Sequence, residues 1–269
     1  MSGWRLTLRQ PPRLRVDLRS LAPLSLAGLS ADAVAKLPLH HGNETLALGD
    51  LFGVAPHADG ELLLEGELSK CDRIGWQMAG GKLRVEGNAG DYLGAAMAAG
   101  EIVCSGHAGL LAACEMSGGR LDIGGDAGDF AASALPGSMD GMRGGTLLVR
   151  GNAGARFGDR MRRGNALVFG DAGDFLASRM VAGSIAVAGR VGAHVGYGMR
   201  RGSVVCAGAV PKLPATFVPN DTSVAVFWHL LATSLARHGG AFAGLASRAP
   251  ERHVGDLGAG GKGELLLCR

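Results

Sequence analysis

A chain of 269 residues that is 47% hydrophobic is long enough to bury a substantial core, and its 46 glycines put it far above the roughly 7% glycine of ordinary domains. A formal net charge of only +3, from 27 Lys and Arg against 24 Asp and Glu, excludes a nucleic-acid binder by bulk charge. No stretch reaches the roughly 18 apolar residues of a membrane span, and five cysteines without Cys-x-x-Cys spacing read as reduced thiols of a cytoplasmic protein.

Residues 1–58 are expected to form an N-terminal cap. Leu6/Leu8 and Leu14/Val16/Leu18 alternate at the strand period, and Ser30 is placed to N-cap a small helix ending near Lys36. Residues 21–29 loosely imitate a signal peptide, but Pro23 breaks the apolar run and a strand-like segment precedes it, so secretion is not expected. His40 and His41 are expected in a loop, and the run from Gly42-Asn43 to Phe52 is expected to enter the first coil of a repeat region.

Residues 59–208 repeat one pattern about eight times. Met78, Met97, Met116, Met142, Met161, Met180 and Met199 succeed one another at steps of 19, 19, 26, 19, 19 and 19. Gly66, Gly87, Gly106, Gly125, Gly151, Gly170, Gly189 and Gly208 keep the same rhythm. Each copy holds one alternating apolar segment, with an inward column predicted at Leu62/Leu64, Leu83/Val85, Ile102/Cys104, Leu121/Ile123, Leu147/Val149, Ala166/Val168, Ile185/Val187 and Val204/Cys206. A single coil cannot bury such a column. Coils stacked at the strand spacing of about 4.8 Å can, which predicts an all-β fold, a right-handed parallel β-helix of nineteen-residue coils. The turns at Asn88, Asp126, Asn152 and Asp171 are expected to stack and to supply residues tolerant of positive φ, and the methionines to fill the interior.

The 26-residue step contains a seven-residue excess around residues 133–140, expected to project from one face. Residues 209–269 form a C-terminal cap. Val224, Phe227, Trp228, Leu231 and Leu235 have helical spacing between Asp221 and His238, ending at Gly239-Gly240, and residues 264–268 predict a last strand. This helix needs an apolar bed. The outward strand position offers one at Leu148, Leu167, Ala186 and Val205, with Phe169 beside them, and the helix or a subunit interface is expected to cover it.

Catalytic groupings are not found in the pattern. The eight histidines show no metal-ligand spacing, so neither a catalytic nor a metal site is assigned, and His107 and His194 read as turn residues. Residues 255–263 resemble a phosphate loop but carry Asp256 and Gly263 where that motif requires Gly and Ser/Thr. The marked chemical feature is basic, since 22 of the 27 cationic residues are arginine. Arg143, Arg160, Arg162, Arg163, Arg179, Arg200 and Arg201 gather at the turn around each later methionine. They are expected to form a ladder one coil apart, either a solvated basic edge with sparse ion pairs or a docking surface for an acidic partner or carrier, because arginine grips carboxylates with two parallel bonds.

The repeat is similar to the β-helical domain at the C-terminal end of the glutamate synthase large subunit, and it more closely resembles the C subunit of formylmethanofuran dehydrogenase. The second resemblance extends beyond the repeat to Leu37-Pro-Leu39, Gly42-Asn43, residues 48–52, Val254-Gly-Asp-Leu257 and residues 260–265. It implies a β-helical subunit without metal, cofactor or active site of its own, in a hetero-oligomer of formyltransferase and amidohydrolase-like subunits. Two versions of the family are implied. One reduces CO2 onto methanofuran; the other, the bacterial formyltransferase/hydrolase complex, moves formyl from tetrahydromethanopterin to a methanofuran-like carrier and releases formate. The arginine- and alanine-rich composition tilts towards the second.

Overall fold

The computed structural model describes residues 3–58, 60–210 and 212–268; the expected domain boundary at residue 59 lies outside them. In the N-terminal part, β1 (Gly3–Leu8), β2 (Val16–Asp17), α1 (Ala31–Ala35), β3 (Pro38–His41), β4 (Glu44–Ala47), the single turn α2 (Leu48–Leu51) and β5 (Phe52–His57) come in order. Ser30 caps α1 as expected, its Oγ accepting from Ala33 N at 3.2 Å. Gly42 and Asn43 do not enter a coil. They turn the β3–β4 hairpin, with Gly42 left-handed (φ 65°), so His40 and His41 lie on a strand and not in a loop. β5 then runs antiparallel to β1, and β1 pairs in parallel with the next strand, so the N-terminal part joins the large sheet.

The middle of the chain supplies β6 (Leu62–Glu65), β7 (Cys71–Asp72), β8 (Ala79–Glu86), β9 (Ala99–Cys104), β10 (Arg120–Ile123), β11 (Arg143–Val149), β12 (Arg163–Val168), β13 (Ser184–Val187) and β14 (Arg201–Cys206). From β8 to β14 each strand pairs in parallel with the next in sequence, and the register is the repeat register: Leu83 opposite Ile102, Leu121 opposite Leu147, Ile185 opposite Val204. The seven-residue excess is absorbed before β11 without shifting the column. A second parallel ladder runs through the turns, linking Leu68, Ala89, Ala108, Ala127, Ala153, Ala172 and Val191. The core lies between sheet and turn ladder. All sixteen inward residues and all seven repeat methionines are buried in it. From Met78 to Met180 each methionine methyl reaches over a glycine of the next coil, where a Cβ on Gly119 would stand 2.7 Å from the Met97 Cε.

The Asn/Asp turns do stack, by hydrogen bonds and not by strained backbone. Asn88 Oδ1 accepts from His107 N, His107 Nδ1 from Asp126 N, Asp126 Oδ1 from Asn152 N, Asn152 Oδ1 from Asp171 N and Asp171 Oδ1 from Arg190 N, at 2.6–2.9 Å. Within the four expected turns positive φ is found at Gly87 (132°) and at none of the Asn or Asp residues; the regular positions lie elsewhere. Positive φ recurs at Arg73, Tyr92, Leu111, Phe130, Arg156, Phe175 and His194, all non-glycine, in a left-handed conformation that is worth about 1–2 kcal/mol of strain per residue. A backbone bond to the next coil holds each of the first six in place, as when Phe175 N donates to Ala193 O at 2.8 Å.

The chain closes with β15 (Val218–Pro219), α3 (Ala225–Ala236), β16 (Glu251–Gly255) and β17 (Lys262–Leu267). β17 pairs in parallel with β14, continuing the sheet after a long excursion, while β15 and β16 add antiparallel edges. The helix is shorter than its apolar spacing predicts because Asn220 Oδ1 takes the Thr222 N–H in a local turn, delaying the start to Ala225. It presses Trp228, Ala232 and Leu235 onto the outer sheet face; Phe227, expected inside, is 43% exposed. Gly240 lets the chain pass over Phe169, whose ring would lie 3.0 Å from a Cβ there.

Candidate functional site

The seven arginines singled out in the sequence converge on one face. Arg143, Arg162, Arg163, Arg200 and Arg201 line a groove of about 630 Å³ whose floor is Val181 and Ala182, and Arg160, Arg162, Arg179 and Arg200 line an adjoining one of about 410 Å³. The position after each methionine builds this face. Arg162 N bonds Met142 O and Arg200 N bonds Met180 O, both at 2.8 Å, so the residues after the methionines hang in register from successive coils.

The expected uninterrupted ladder is not what forms. The coil between Arg162-Arg163 and Arg200-Arg201 carries Val181-Ala182, so the two basic pairs stand two coils, about 10 Å, apart. This spacing relieves the repulsion that adjacent guanidiniums suffer and leaves a slot with cationic walls and an apolar floor. Arg143 and Arg163 do face each other across β11 and β12.

The arginines divide by their partners. Arg179 is clamped by Asp159, with Nη2 to Oδ2 at 2.7 Å and Nε to Oδ1 at 3.0 Å, and Ser178 Oγ donates to the same carboxylate at 2.5 Å. Arg160 donates to Ser138 O at 2.7 Å, and Arg162 pairs with Asp140. Arg143 reaches Glu115 only at 3.9 Å. Among the described residues, no ion pair engages Arg163, Arg200 or Arg201. Two segments outside the arginine set complete the walls. Met139 and Asp140 come from the seven-residue excess, which folds over the arginine face, and Gly258 and Ala259 come from the C-terminal loop. That loop is fastened by Asp256, whose Oδ2 accepts from Gly198 N and Oδ1 from Gly258 N, both at 2.9 Å. Residues 255–263, with their likeness to a phosphate loop, thus serve as a rim.

The second set of candidate residues is corrected by the structure. Leu148, Leu167, Ala186 and Val205 are fully buried, and Phe169 packs beside them, beneath Trp228, Ala232, Leu235, Phe242 and Leu245 of the chain's own C-terminal part. An apolar strip so covered offers nothing to another subunit. The helix, the first of the two covers considered, occupies the strip because β17 returns to the sheet beside β14 and carries the chain across that face.

Burial pushes the thiols of Cys71, Cys114 and Cys206 up to about 12, and those of Cys104 and Cys268 up to about 11, so all five are neutral at physiological pH. Among the described residues no group of three or more His, Cys, Asp and Glu could hold a metal ion, and no helix is long and apolar enough to cross a membrane.

No protein-family model matches the chain. It is 45% identical over 85 residues to the C subunit of the formyltransferase/hydrolase complex Fhc of Methylorubrum extorquens, 32% of each chain. It is 35% identical over 97 residues to the C subunit of the tungsten-containing formylmethanofuran dehydrogenase 2 of Methanothermobacter thermautotrophicus, 34% of this chain and 36% of that one. These matched stretches span about a third of the length of the curated relatives. The fold carries the likeness over the rest. A chain in the crystal structure of the formyltransferase/hydrolase complex FhcABCD from Methylorubrum extorquens, in complex with methylofuran, superposes with a TM-score of 0.92 and 43% identity, covering 98% of this chain and 99% of that one. The nineteen-residue register, the flanking motifs and this end-to-end correspondence agree, and the chain belongs to the family of C subunits of formyltransferase/hydrolase and formylmethanofuran dehydrogenase complexes.

Proposed function

We propose that this chain is the non-catalytic C subunit of a formyltransferase/hydrolase complex. Its parallel rungs, read as a right-handed β-helix with caps at residues 1–58 and 209–269, form a rigid body on which formyltransferase and amidohydrolase-like subunits assemble in the cytoplasm. Those subunits move formyl from tetrahydromethanopterin to a methanofuran-like carrier and release it as formate; this chain binds no cofactor of its own. The observation that carries the reading is the full-length correspondence with a chain of the FhcABCD complex. Within it, the arginine groove takes an anionic partner or the carboxylate-bearing part of the carrier. Arg163, Arg200 and Arg201 supply uncommitted guanidiniums, and Arg143, Arg160, Arg162 and Arg179 form the walls.

The test is the native mass and turnover of the protein purified from its own host. A hetero-oligomer that releases formate from formyl-tetrahydromethanopterin in a carrier-dependent reaction, together with an isolated chain that is inactive, supports the reading. An isolated chain that is monomeric and turns over the substrate sinks it. A complex that carries tungsten or molybdenum and reduces CO2 would assign the chain to the redox branch represented by the Methanothermobacter relatives.

A further inference from the structure

The left-handed column on the coil exterior holds large side chains in every coil from Arg73 onward, and in the last four its occupants are Phe130, Arg156, Phe175 and His194, with φ of 61°, 58°, 60° and 61°. Large L side chains are disfavoured at such a backbone position, and these are partly exposed to solvent, so burial does not repay the strain in full. Two residues further on, a second left-handed column is filled by Gly158, Ala177 and Gly196, small and buried. The chain therefore uses small residues where the coil needs them and large ones where they face outward.

These side chains form one continuous stripe along the stack. The Arg156 Cζ lies 4.6 Å from the centroid of Phe175 and 5.8 Å from that of Phe130. Phe175 and His194 stack at 4.7 Å with 22° between planes, and Tyr197, 59% exposed, meets Phe175 edge-on at 6.1 Å. Among the described residues no carboxylate pairs with Arg156. A guanidinium flanked by a ring from the coil before and a ring from the coil after keeps its N–H edge open, and that edge suits a carboxylate held bidentately while the rings exclude water. Aromatic rings gathered about an arginine are also the composition of energetically dominant patches in protein interfaces. Tyr197 continues the stripe to the arginine groove, since its carbonyl accepts from Arg179 N at 2.7 Å and its neighbour Gly198 lines the groove.

We propose that this stripe is the docking surface for a partner subunit, which seats a carboxylate flanked by apolar side chains on Arg156 between Phe130 and Phe175. The proposal rests on the scaffold reading above, and it gives the chain a partner-facing surface in place of the strip that its own helix covers.

Two variants of the full chain, Phe175→Gly and Arg156→Lys, are co-expressed with the partner subunits, and both subunit affinity and melting temperature are measured. Glycine relieves the left-handed strain, so Phe175→Gly is expected to melt at or above the wild-type temperature while subunit affinity falls at least tenfold. Arg156→Lys keeps the charge but loses the planar fork, and a loss of fivefold or more is expected at unchanged melting temperature. Wild-type affinity in both variants overturns the proposal. If Phe175→Gly is destabilised, Arg156→Lys decides: lost affinity supports docking, and intact affinity shows that the stripe only packs the coil. Variants that lose the carrier but keep the subunits assign the stripe to the carrier, and loss of a self-associated form alone assigns it to a second copy; either outcome overturns the proposal. A wild-type chain that recovers no subunit refutes the scaffold reading itself, and the stripe assignment with it.

Discussion

Asp159 and Arg179 form a two-pronged ion pair across one coil, at 2.7 and 3.0 Å, with Asp159 only 4% exposed. The carboxylate also accepts the Ser178 hydroxyl. Position on the coil explains the pair. Asp159 and Ser178 occupy equivalent places in neighbouring coils, just before the left-handed residues Arg160 and Arg179, so the stacking register delivers acid, hydroxyl and guanidinium to one point. Asp159→Asn keeps the shape but removes the charge from three hydrogen bonds. A destabilisation of about 2 kcal/mol is expected in urea unfolding, and a midpoint shift indistinguishable from zero would show that the pair is ornamental.

The inward column is the most exacting test of the coil register. Val149 and Ile185 are fully buried, the first on β11 and the second on β13. Aspartate at either position places an unpaired charge in a dry core, a change expected to exceed about 4 kcal/mol and to unfold the chain. Circular dichroism at room temperature is the check. A folded Ile185→Asp protein with near-wild-type melting would contradict the alignment of coils.

How far the sequence revealed this molecule depends on which physical signal each element carries. The rungs were legible because apolar alternation bracketed by glycine is a local pattern, and stacking only multiplies it. Leu62 through Cys206 all fall where the period placed them. The arginine groove was half legible. The seven residues could be named from their position beside the methionines, but whether a given arginine is committed depends on Asp140 and Asp159, which reach it through three dimensions. His107 was read as an unremarkable turn residue, yet it occupies the Asn/Asp ladder, where its Nδ1 replaces an amide oxygen; the nineteen-residue offset from Asn88 was the available clue. The outward apolar strip misled the assignment of a subunit interface, because exposed and helix-covered strips have the same composition. The left-handed column was illegible. It holds Tyr, Leu, Phe, Arg and His, none of which signals positive φ, and only the bonds between coils impose that conformation.

The polar turn ladder predicts a substitution rule. Asp171 Oδ1 accepts from Arg190 N at 2.7 Å. Asp171→Ala leaves that N–H without its partner at an exposed turn, and a loss of about 1 kcal/mol is expected. His107→Asn places an amide oxygen where the ladder elsewhere uses one, and stability within about 0.5 kcal/mol of wild type is expected. Differential scanning calorimetry on the two variants reads the contrast; equal losses would mean that the ladder bonds do not discriminate.

Acid sensitivity is expected from the opposite face, where α3 ends against the sheet. Burial lowers the pKa of His238, and the nearby charges of Arg120 and Arg150 lower it further against a smaller opposing effect from Asp122. A histidine whose folded pKa lies below its unfolded value resists protonation when folded, so stability falls as pH drops through about 6.5 towards the folded value. Burial raises the pKa of Asp122, but hydrogen bonds and charge from Arg150, then those of Arg120, outweigh it, and the net shift is downward. Its contribution is present above the unfolded carboxylate value and disappears as pH falls through the folded one. Unfolding free energy measured from pH 7 to pH 3 should therefore decline in two stages. His238→Gln should flatten the first, and Asp122→Asn should reduce the second, to which Asp17 and Glu67, also held below their ordinary values, contribute. A wild-type slope between pH 7 and 5 in His238→Gln would remove the histidine from this account.

The arginine groove makes the sharpest separation between stability and function. Arg163, Arg200 and Arg201 hold no ion pair among the described residues, and basic pairs about 10 Å apart repel by only a few tenths of a kcal/mol in water at physiological salt. Replacing all three by glutamine should leave the melting temperature within about 2 °C of wild type, or raise it slightly. Arg179→Gln differs, since it strands the buried Asp159 carboxylate and is expected to cost about 2 kcal/mol. If the groove takes a polycarboxylate, as proposed, the triple variant should weaken complex assembly or carrier retention at low ionic strength. The gap from wild type should close at about 1 M salt, where the screening length is about 3 Å. Assembly and carrier retention equal to wild type at low salt, in a variant shown to be folded, would leave the three arginines as a solvated edge and return the anion-binding role to none of them.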